Sequence, residues 1–509
     1  MKGTGDTRGR KGPEGAKEGS SGTKNLRFLF DPASAADAGW SLACMGAIRF
    51  TNLTGAVEIG ANCYLLEIAG KRILLDAGYH PKKEGNAGLP RLDMLPDESV
   101  DAIVLSHAHQ DHIGSLPVAM RRHARAPVLM TDATRRLGEV MLHNSINVMI
   151  AERAAGGPPE YPLFSHREVD GLVRHWVGRP LRMVFNLAGE RVRPEEPEVT
   201  CEFYDAGHIL GSAGTVIRGE GRTVFYAGDV QFDDQTIARG ADFPDFGDAD
   251  PCDVMIMEST RGDRPTPEGF TRRGEEDRLA RAINEVFNRN GCLLIPLFAL
   301  GKTQEALGMF HDFRRRSLLR RDRPIYISGL GAKLTEIYDQ LADRAPRQRS
   351  GLELLEAVDP YVIGGHNAAD LRVKPGRILA LSSGMMSEKT LSNRMARQLL
   401  SKPENAILFV GYADPESPGG RLRAAQPGDL ISLGADHAPE PVRCEVKAFN
   451  FSAHASREGI RAYVNRAKPR KLILVHGDPL AIDWLAQTLR ADLPATEVIV
   501  PTPGEAVEL

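Results

Sequence analysis

The sequence contains no apolar run approaching the roughly 18 to 20 residues that span a bilayer, so no membrane association is expected. Its N-terminus has no apolar stretch of signal-peptide type, which makes the cytoplasm the expected location. Cysteine is scarce and scattered. The six residues Cys44, Cys63, Cys201, Cys252, Cys292 and Cys444 include no C-x-x-C pair. That argues against a disulfide framework or a thiolate zinc site and fits reduced, mostly buried thiols. Excess positive charge is also missing: Lys plus Arg is 64 against 67 Asp plus Glu, a net charge of −3. A protein held to nucleic acid by bulk charge is thereby excluded, though a local basic groove is not. No internal repeat of fixed period occurs.

What is present is a chain of 509 residues with 42% hydrophobic residues, enough for a sizeable core and for two to four domains. Residues 1–24 are rich in Gly, Ser, Lys and Arg and lack aromatic and branched aliphatic residues. Such a segment cannot offset its ordering entropy and is expected to be a disordered, weakly basic tail. The tail with its extension is placed at residues 1–45. From about residue 46, short apolar runs alternate with helical spacing, as at Thr134 to Ala154 and Glu275 to Asn288. The expected class is α/β, in layers.

Several apolar strands end in a polar or ionisable residue. Leu75 precedes Asp76, Leu105 precedes Ser106-His107, Met257 precedes Glu258 and Val475 precedes His476, while Tyr226 leads through Ala227-Gly228 to Asp229. Sites form where a rigid sheet presents side chains at its strand ends, so one rim is expected to carry the chemistry.

The central motif is Ser106-His107-Ala108-His109-Gln110-Asp111-His112-Ile113-Gly114. Imidazole nitrogen and carboxylate oxygen suit Zn2+ and related metals. In an extended segment His107 and His109 point to the same side. A turn into a helix can then aim Asp111 and His112 at a second point nearby, so one peptide can serve two adjacent metals. His208, between glycines, and Asp229, at a strand end, look like matching ligands.

The order Asp76, His107-x-His109-x-Asp111-His112, His208, Asp229 resembles the metallo-β-lactamase hydrolase fold. That resemblance implies His107, His109 and His208 on one zinc, Asp111, His112 and a further His on the second, and Asp229 bridging. It implies Asp76 as a residue orienting the ligands. The chain beyond Asp229 resembles the β-CASP nucleases. Glu258-Ser259-Thr260 is similar to their motif A, Phe451-Ser452-Ala453-His454-Ala455 to motif B, and Leu474-Val475-His476-Gly477 to motif C. Ile295 to Glu305, Ser383-Gly384-Met385 and Asn405 to Tyr412 also resemble family segments.

The resemblance covers about residues 46 to 509. It implies a metallo-β-lactamase αββα sandwich in two parts, 46–258 and 442–509, with an inserted α/β β-CASP domain at 259–441. It implies His476 as the further metal ligand. It also implies His454 as general acid tuned by Glu258, with Asp111 and Asp76 in the catalytic set, and Ser383 and Gly384 at a neighbouring phosphate. Expected cofactors are two Zn2+, with Mn2+ as an alternative. A His at motif C favours RNA as partner, and a homodimer is open.

The implied activity is metal-dependent hydrolysis of RNA phosphodiester bonds, internally or from the 5′ end. The alternatives are a hydrolase of the same fold acting on DNA or a small molecule, and a non-catalytic RNA-binding scaffold. Two departures from the family pattern stand near the substrate: Arg261 follows motif A where an aromatic residue is usual, and Met386-Ser387-Glu388-Lys389 follows Met385 where relatives have Gly-Gly. The stretch after motif C is short, so no added C-terminal RNA-binding segment is expected.

Overall fold

In the strand Val254–Glu258, Val254 and Ile256 belong to one buried cluster and Met255 and Met257 to another. Successive side chains of a strand point to opposite faces, so a strand apolar on both faces must be covered on both. The same alternation recurs in Tyr64–Ile68, Lys71–Leu75 and Lys471–Val475, and it builds layers. The structure, a computed structural model, describes residues 47–194, 198–435 and 437–509. The expected tail at residues 1–45, with Cys44, lies outside the described residues.

Three large sheets form. The first has the spatial order Ala506–Glu508, Arg49–Asn52, Tyr64–Ile68, Lys71–Leu75, Ala102–Val104, Val128–Thr131, Trp176–Arg179. The second runs Glu497–Ile499, Lys471–Val475, Val254–Glu258, Arg222–Tyr226, Ala213–Gly219, Thr200–Asp205, Val184–Asn186. Their facing sides share one core that includes Phe50, Leu66, Leu75, Phe203, Tyr226 and Ile256. Burying each such large side chain contributes roughly 1.5–3 kcal/mol. The outer face of the first sheet packs on the helices Leu116–Arg122 and Asp132–Ala154, and that of the second on Arg457–Ala467 and Pro479–Asp492. The result is an αββα sandwich.

Residues between the second sheet's strands Val254–Glu258 and Lys471–Val475 build the third sheet. Its order is Tyr361–Ile363, Ile325–Ser328, Ile378–Leu381, Leu293–Pro296, Ala406–Phe409, Glu445–Ala448, with every pair parallel. Helices cover both faces, so this is an inserted α/β domain. Its edge strand Glu445–Ala448 lies past residue 441, where the sequence places the return to the sandwich. That strand is only partly buried along its length, so it carries little of the apolar signature by which the other strands are recognised.

Helices start where capping residues stand. The Thr131 hydroxyl accepts from Thr134 N at the head of Asp132–Ala154, and Thr271 does the same for Gly274 N at the head of Arg272–Asn288. Tyr64–Ile68 and Lys71–Leu75 form a hairpin through Ala69-Gly70, with both residues at positive φ as a two-residue turn requires.

Candidate metal centre

The strand Ala102–Val104 delivers Leu105-Ser106-His107 to the rim of the sandwich, and the one-turn helix Gln110–Ile113 begins at His109. The extended backbone at His109 sends the His107 and His109 rings toward each other, with His107 Nε2 3.1 Å from His109 Nδ1. His208 Nε2 reaches the same point, 3.0 Å from His109 Nδ1. Asp229 Oδ2 lies 3.6 Å from His107 Nε2 and 3.7 Å from His208 Nε2. These four residues form one compact donor set.

Asp111, His112 and His476 form a second. His476 Nε2 is 3.4 Å from Asp111 Oδ2. The other oxygen of Asp229, Oδ1, is 3.4 Å from His112 Nε2 and 3.0 Å from His476 Nδ1. Asp229 therefore offers one oxygen to each set. Asp229, Glu258, His454 and His476 also lie within reach of a common point.

The supporting contacts fix ring orientation. Asp76 Oδ2 accepts from His112 Nδ1 at 2.7 Å, from Ser106 Oγ at 2.7 Å and from Tyr226 Oη at 2.5 Å, and its Oδ1 accepts from Ser106 N at 2.7 Å. That leaves His112 Nε2 facing the cluster. His208 Nδ1 donates to Ala453 O at 2.8 Å, leaving its Nε2 inward in the same way. His454 Nδ1 lies 3.1 Å from both oxygens of Glu258, and Val230 N donates to Glu258 Oε1 at 2.7 Å.

The backbone is tightly constrained here. Asp76 and His476 hold φ of 59° and 49°, unusual for non-glycine residues and characteristic of sites where surrounding structure overrides local preference. Gly228 has φ 59°, and a Cβ there would meet Ser106 Cβ at 2.6 Å.

The electrostatics separate the two sets. Burial holds His107 and His208 well below the usual histidine range, reinforced by His112 and His454 respectively, and burial brings His109 down to about 4 against the pull of Asp111. These three rings are neutral and present lone pairs. In the second set burial is overcome. Asp229 and Asp111 raise His112 well above its usual value and His476 to about 10. Asp229, despite burial, is held well below the carboxylate range by His476 and His112, and Asp111 is held low by His112 and His476.

The residues fit divalent cations. Neutral ring nitrogens converge at 3.0–3.1 Å with their lone pairs inward. Asp229 Oδ1, fully buried, accepts no hydrogen bond although His476 Nδ1 is near it. The donors are imidazole nitrogen and carboxylate oxygen, with no thiolate; the five described cysteines are free and buried elsewhere. Two cations would replace the protons that the second set otherwise keeps on its imidazoles.

A cavity of about 1500 Å3 opens onto the cluster, and His109, Asp111, His208, His454 and His476 line it. Its far wall comes from the inserted domain, including Phe298, Lys302 and Tyr412.

Residues 57–173 match the metallo-beta-lactamase superfamily, residues 303–422 the Beta-Casp domain, and residues 439–501 the Zn-dependent metallo-hydrolase RNA specificity domain. A ribonuclease from Thermus thermophilus is 30% identical over 471 residues, covering 90% of this chain and 100% of that protein. The chain belongs to the metallo-β-lactamase-fold β-CASP ribonuclease family. Other relatives include a probable RNase from Methanocaldococcus jannaschii, 28% identical over 83% of this chain and 91% of its own length. Cleavage and polyadenylation specificity factor 73 from Drosophila melanogaster is 26% identical over 88% of this chain, which spans 62% of that protein. A solved structure of a protein of unknown function from Enterococcus faecalis V583 shares the fold with a TM-score of 0.54 at 14% identity, covering 91% of this chain and 100% of that one.

The structure thus brings together His107, His109, Asp111, His112, His208, Asp229 and His476, with Asp76, Glu258 and His454 in contact with them. It does not bring Ser383 and Gly384 to this β-CASP cavity. Ser383 Oγ accepts from Ser387 N at 3.1 Å, and Phe298, packed against Gly384, supplies the cavity lining along with Met385.

Asn62, Tyr226 and Thr260 are partners of the cluster with no role assigned to them from sequence, although Thr260 stands in the motif A segment. Asn62 Nδ2 is 3.1 Å from His112 Nε2, and Thr260 Oγ1 is 3.0 Å from His476 Nδ1. Tyr226 carries a signal, its place at the end of the strand leading to Asp229. Asn62 carries none. Among the described residues no helix is long and apolar enough to cross a membrane.

Proposed function

We propose that the chain is a ribonuclease that hydrolyses RNA phosphodiester bonds at a centre of two metal ions, Zn2+ or alternatively Mn2+. The observation that carries this reading is the division of Asp229, one oxygen toward His107 and His208 and the other toward His112 and His476. His107, His109 and His208 would hold one cation, Asp111, His112 and His476 the other, and Asp229 both. Bound there, the cations would activate a water for attack and neutralise charge developing on the phosphoryl oxygens.

The chain's own residues do the rest. Asp76 keeps the His112 ring turned inward. Glu258 faces His454 Nδ1 and stabilises the protonated ring, which leaves His454 Nε2 to give a proton to the leaving oxygen. Glu258 is buried beneath the partly exposed His454, which keeps competing water away from the charged carboxylate.

The sandwich is assigned to residues 46–258 and to the chain after Ala448, with the β-CASP domain between. Free, buried cysteines fit a reducing compartment, so a cytoplasmic location belongs to the same proposal. A homodimer is part of it only as the state to be measured.

The test is a time course on RNA labelled at the 5′ or the 3′ end, with and without added zinc or manganese. Metal-dependent shortening of both labelled RNAs supports the reading, and the product ladder separates internal from 5′-end cleavage. Undiminished cleavage in chelator, or no cleavage of RNA with either metal, overturns it.

A further inference from the structure

The cavity is lined by cations of two kinds. Arg182 and Arg278 are matched by carboxylates: Arg182 Nη2 is 2.7 Å from Asp242, and Arg278 Nη2 is 2.7 Å from Glu275. Arg261, Lys302 and Arg423 are not. Arg261 Nη1 donates to His454 O, at 3.4 Å, Arg423 Nη1 to Gly411 O, at 3.3 Å, and Lys302 Nζ to Phe451 O. Among the described residues none of the three has a carboxylate within ion-pair distance. A partly desolvated cation with no counter-charge is costly, and the cost is recovered only when an anion arrives.

Arg261, Arg264 and Arg423 form a row along the cavity, with Lys302, which loses its charge above about pH 7, at its side. Burial and, against the pull of Glu258, the charge of Arg264 lower the Arg261 guanidinium. Burial and Arg264 lower Arg423. Burial and then Arg272, with Arg261 contributing and Glu305 opposing, bring Lys302 down to about 7. Geometry gives the same order: Arg264 N donates to Arg261 O at 3.1 Å, and Arg264 and Arg423 meet one turn, the first over the Tyr412 ring and the second at Gly411 O. Arg264 itself pairs with the adjacent Asp263 at 3.4 Å and lies 5.8 Å over the half-exposed ring of Tyr412. The inner end of the row is anchored at the metal cluster, because Arg261 donates to the backbone of His454 and follows Thr260, which touches His476.

We propose that Arg261, Arg264 and Arg423 bind successive backbone phosphates of a single RNA strand leading away from the cleaved bond, with Arg261 on the phosphate nearest the metals. The proposal rests on the ribonuclease reading and adds to it the direction in which the strand lies. A row of cations, of which Arg261 and Arg423 have no carboxylate partner, beside a half-exposed ring suits a flexible single strand, whose backbone tracks a basic groove while its bases are free to stack.

The test is steady-state cleavage of single-stranded RNA by the metal-loaded protein over a range of salt, comparing wild type with R261Q, R261K and the double variant R264Q/R423Q. Removing one cation from a phosphate should make the slope of log(kcat/KM) against log salt shallower by about 0.7. R261Q should also lower kcat/KM by about 10- to 100-fold at low salt. R261K should keep the wild-type slope, and the double variant should flatten it by about twice as much as R261Q does.

Wild-type slopes in R261Q and in the double variant would overturn the proposal while leaving the ribonuclease reading in place. Equal falls in activity for R261Q and R261K with unchanged slope would also overturn it, by showing a packing role. Should R261Q fail to fold, the double variant, at positions nearer the outer end of the row, decides alone. A wild-type protein that does not cleave RNA at all refutes the underlying reading instead.

Discussion

Asp76 and Tyr226, 150 residues apart, meet through a 2.5 Å hydrogen bond from the tyrosine hydroxyl to Asp76 Oδ2, both fully buried between the two sheets of the sandwich. The same oxygen accepts from His112 Nδ1. One carboxylate thus ties the first sheet, the second sheet and a candidate metal ligand together.

Replacing Asp76 with Asn should therefore act on metal affinity first. An amide cannot hold the imidazole as a carboxylate does, and removal of such a partner typically costs about 10- to 100-fold in affinity or activity. Zinc titration by calorimetry should show weakened binding. Asp76→Ala should in addition lower the melting temperature, because Ser106 N, Ser106 Oγ and Tyr226 Oη are then left without their acceptor inside the core.

His109→Ala should remove metal and cleavage but not the fold. The ring is neutral, and its hydrogen-bond-range neighbours are His107 and His208 within the cluster. Metal content measured on the purified variant should fall, and RNA cleavage should drop at least about 100-fold, while the thermal transition stays within a few degrees of wild type.

Glu305 offers a structural contrast. Its carboxylate accepts from the backbone N–H groups of Thr236 and Ile237 at 2.8 and 2.9 Å and pairs with Arg272 at 3.0 Å. It ties the helix Lys302–Arg315 to the segment that follows Asp229. Glu305→Ala leaves the backbone N–H groups of Thr236 and Ile237 without their acceptor and Arg272 with Glu276 as its remaining carboxylate, and should cost about 1–3 kcal/mol, read by urea denaturation. Metal binding by the folded fraction should persist.

Two cavity groups give stability opposite pH slopes. Burial, with Asp242 adding to it, raises Asp205 to about 7 despite the Gly207 N–H it accepts. The folded state then holds a proton that the unfolded state releases near pH 4, so this group's contribution falls as pH rises from about 4 to 7. Lys302, lowered to about 7, is neutral in the fold where the unfolded chain is still charged. Its contribution therefore rises with pH from about 7 to 10. The stability difference between wild type and Asp205→Asn should change with pH only in the lower window, and that for Lys302→Met only in the upper one. Melting curves across both windows check this.

Much of the architecture was legible in strand endings. Apolar runs closing on Asp76, His107, Glu258 and His476 identify the rim before any fold is known, because a sheet confers position on whatever follows its strands. The His107 to His112 spacing carries the metal chemistry in one short peptide. Contacts made across the fold were not legible. Asn62 reaches His112 from a loop with no local pattern, and Tyr226 meets Asp76 only once two sheets are stacked. The placing of Ser383 and Gly384 was not legible either: their motif sets them in the inserted domain, where Phe298 and Met385 beside them line the cavity. The unmatched state of Arg261 is likewise visible only when the acids that could pair with it are seen to pair elsewhere.

The most direct test of the central claim is a titration of zinc into metal-free protein while single-stranded RNA cleavage is followed in parallel. Cleavage should be absent at the start and reach its plateau at two equivalents bound, and Asp229→Asn should lose that plateau. Full activity before any metal is added, or a plateau in the Asp229→Asn variant equal to wild type, would contradict the account.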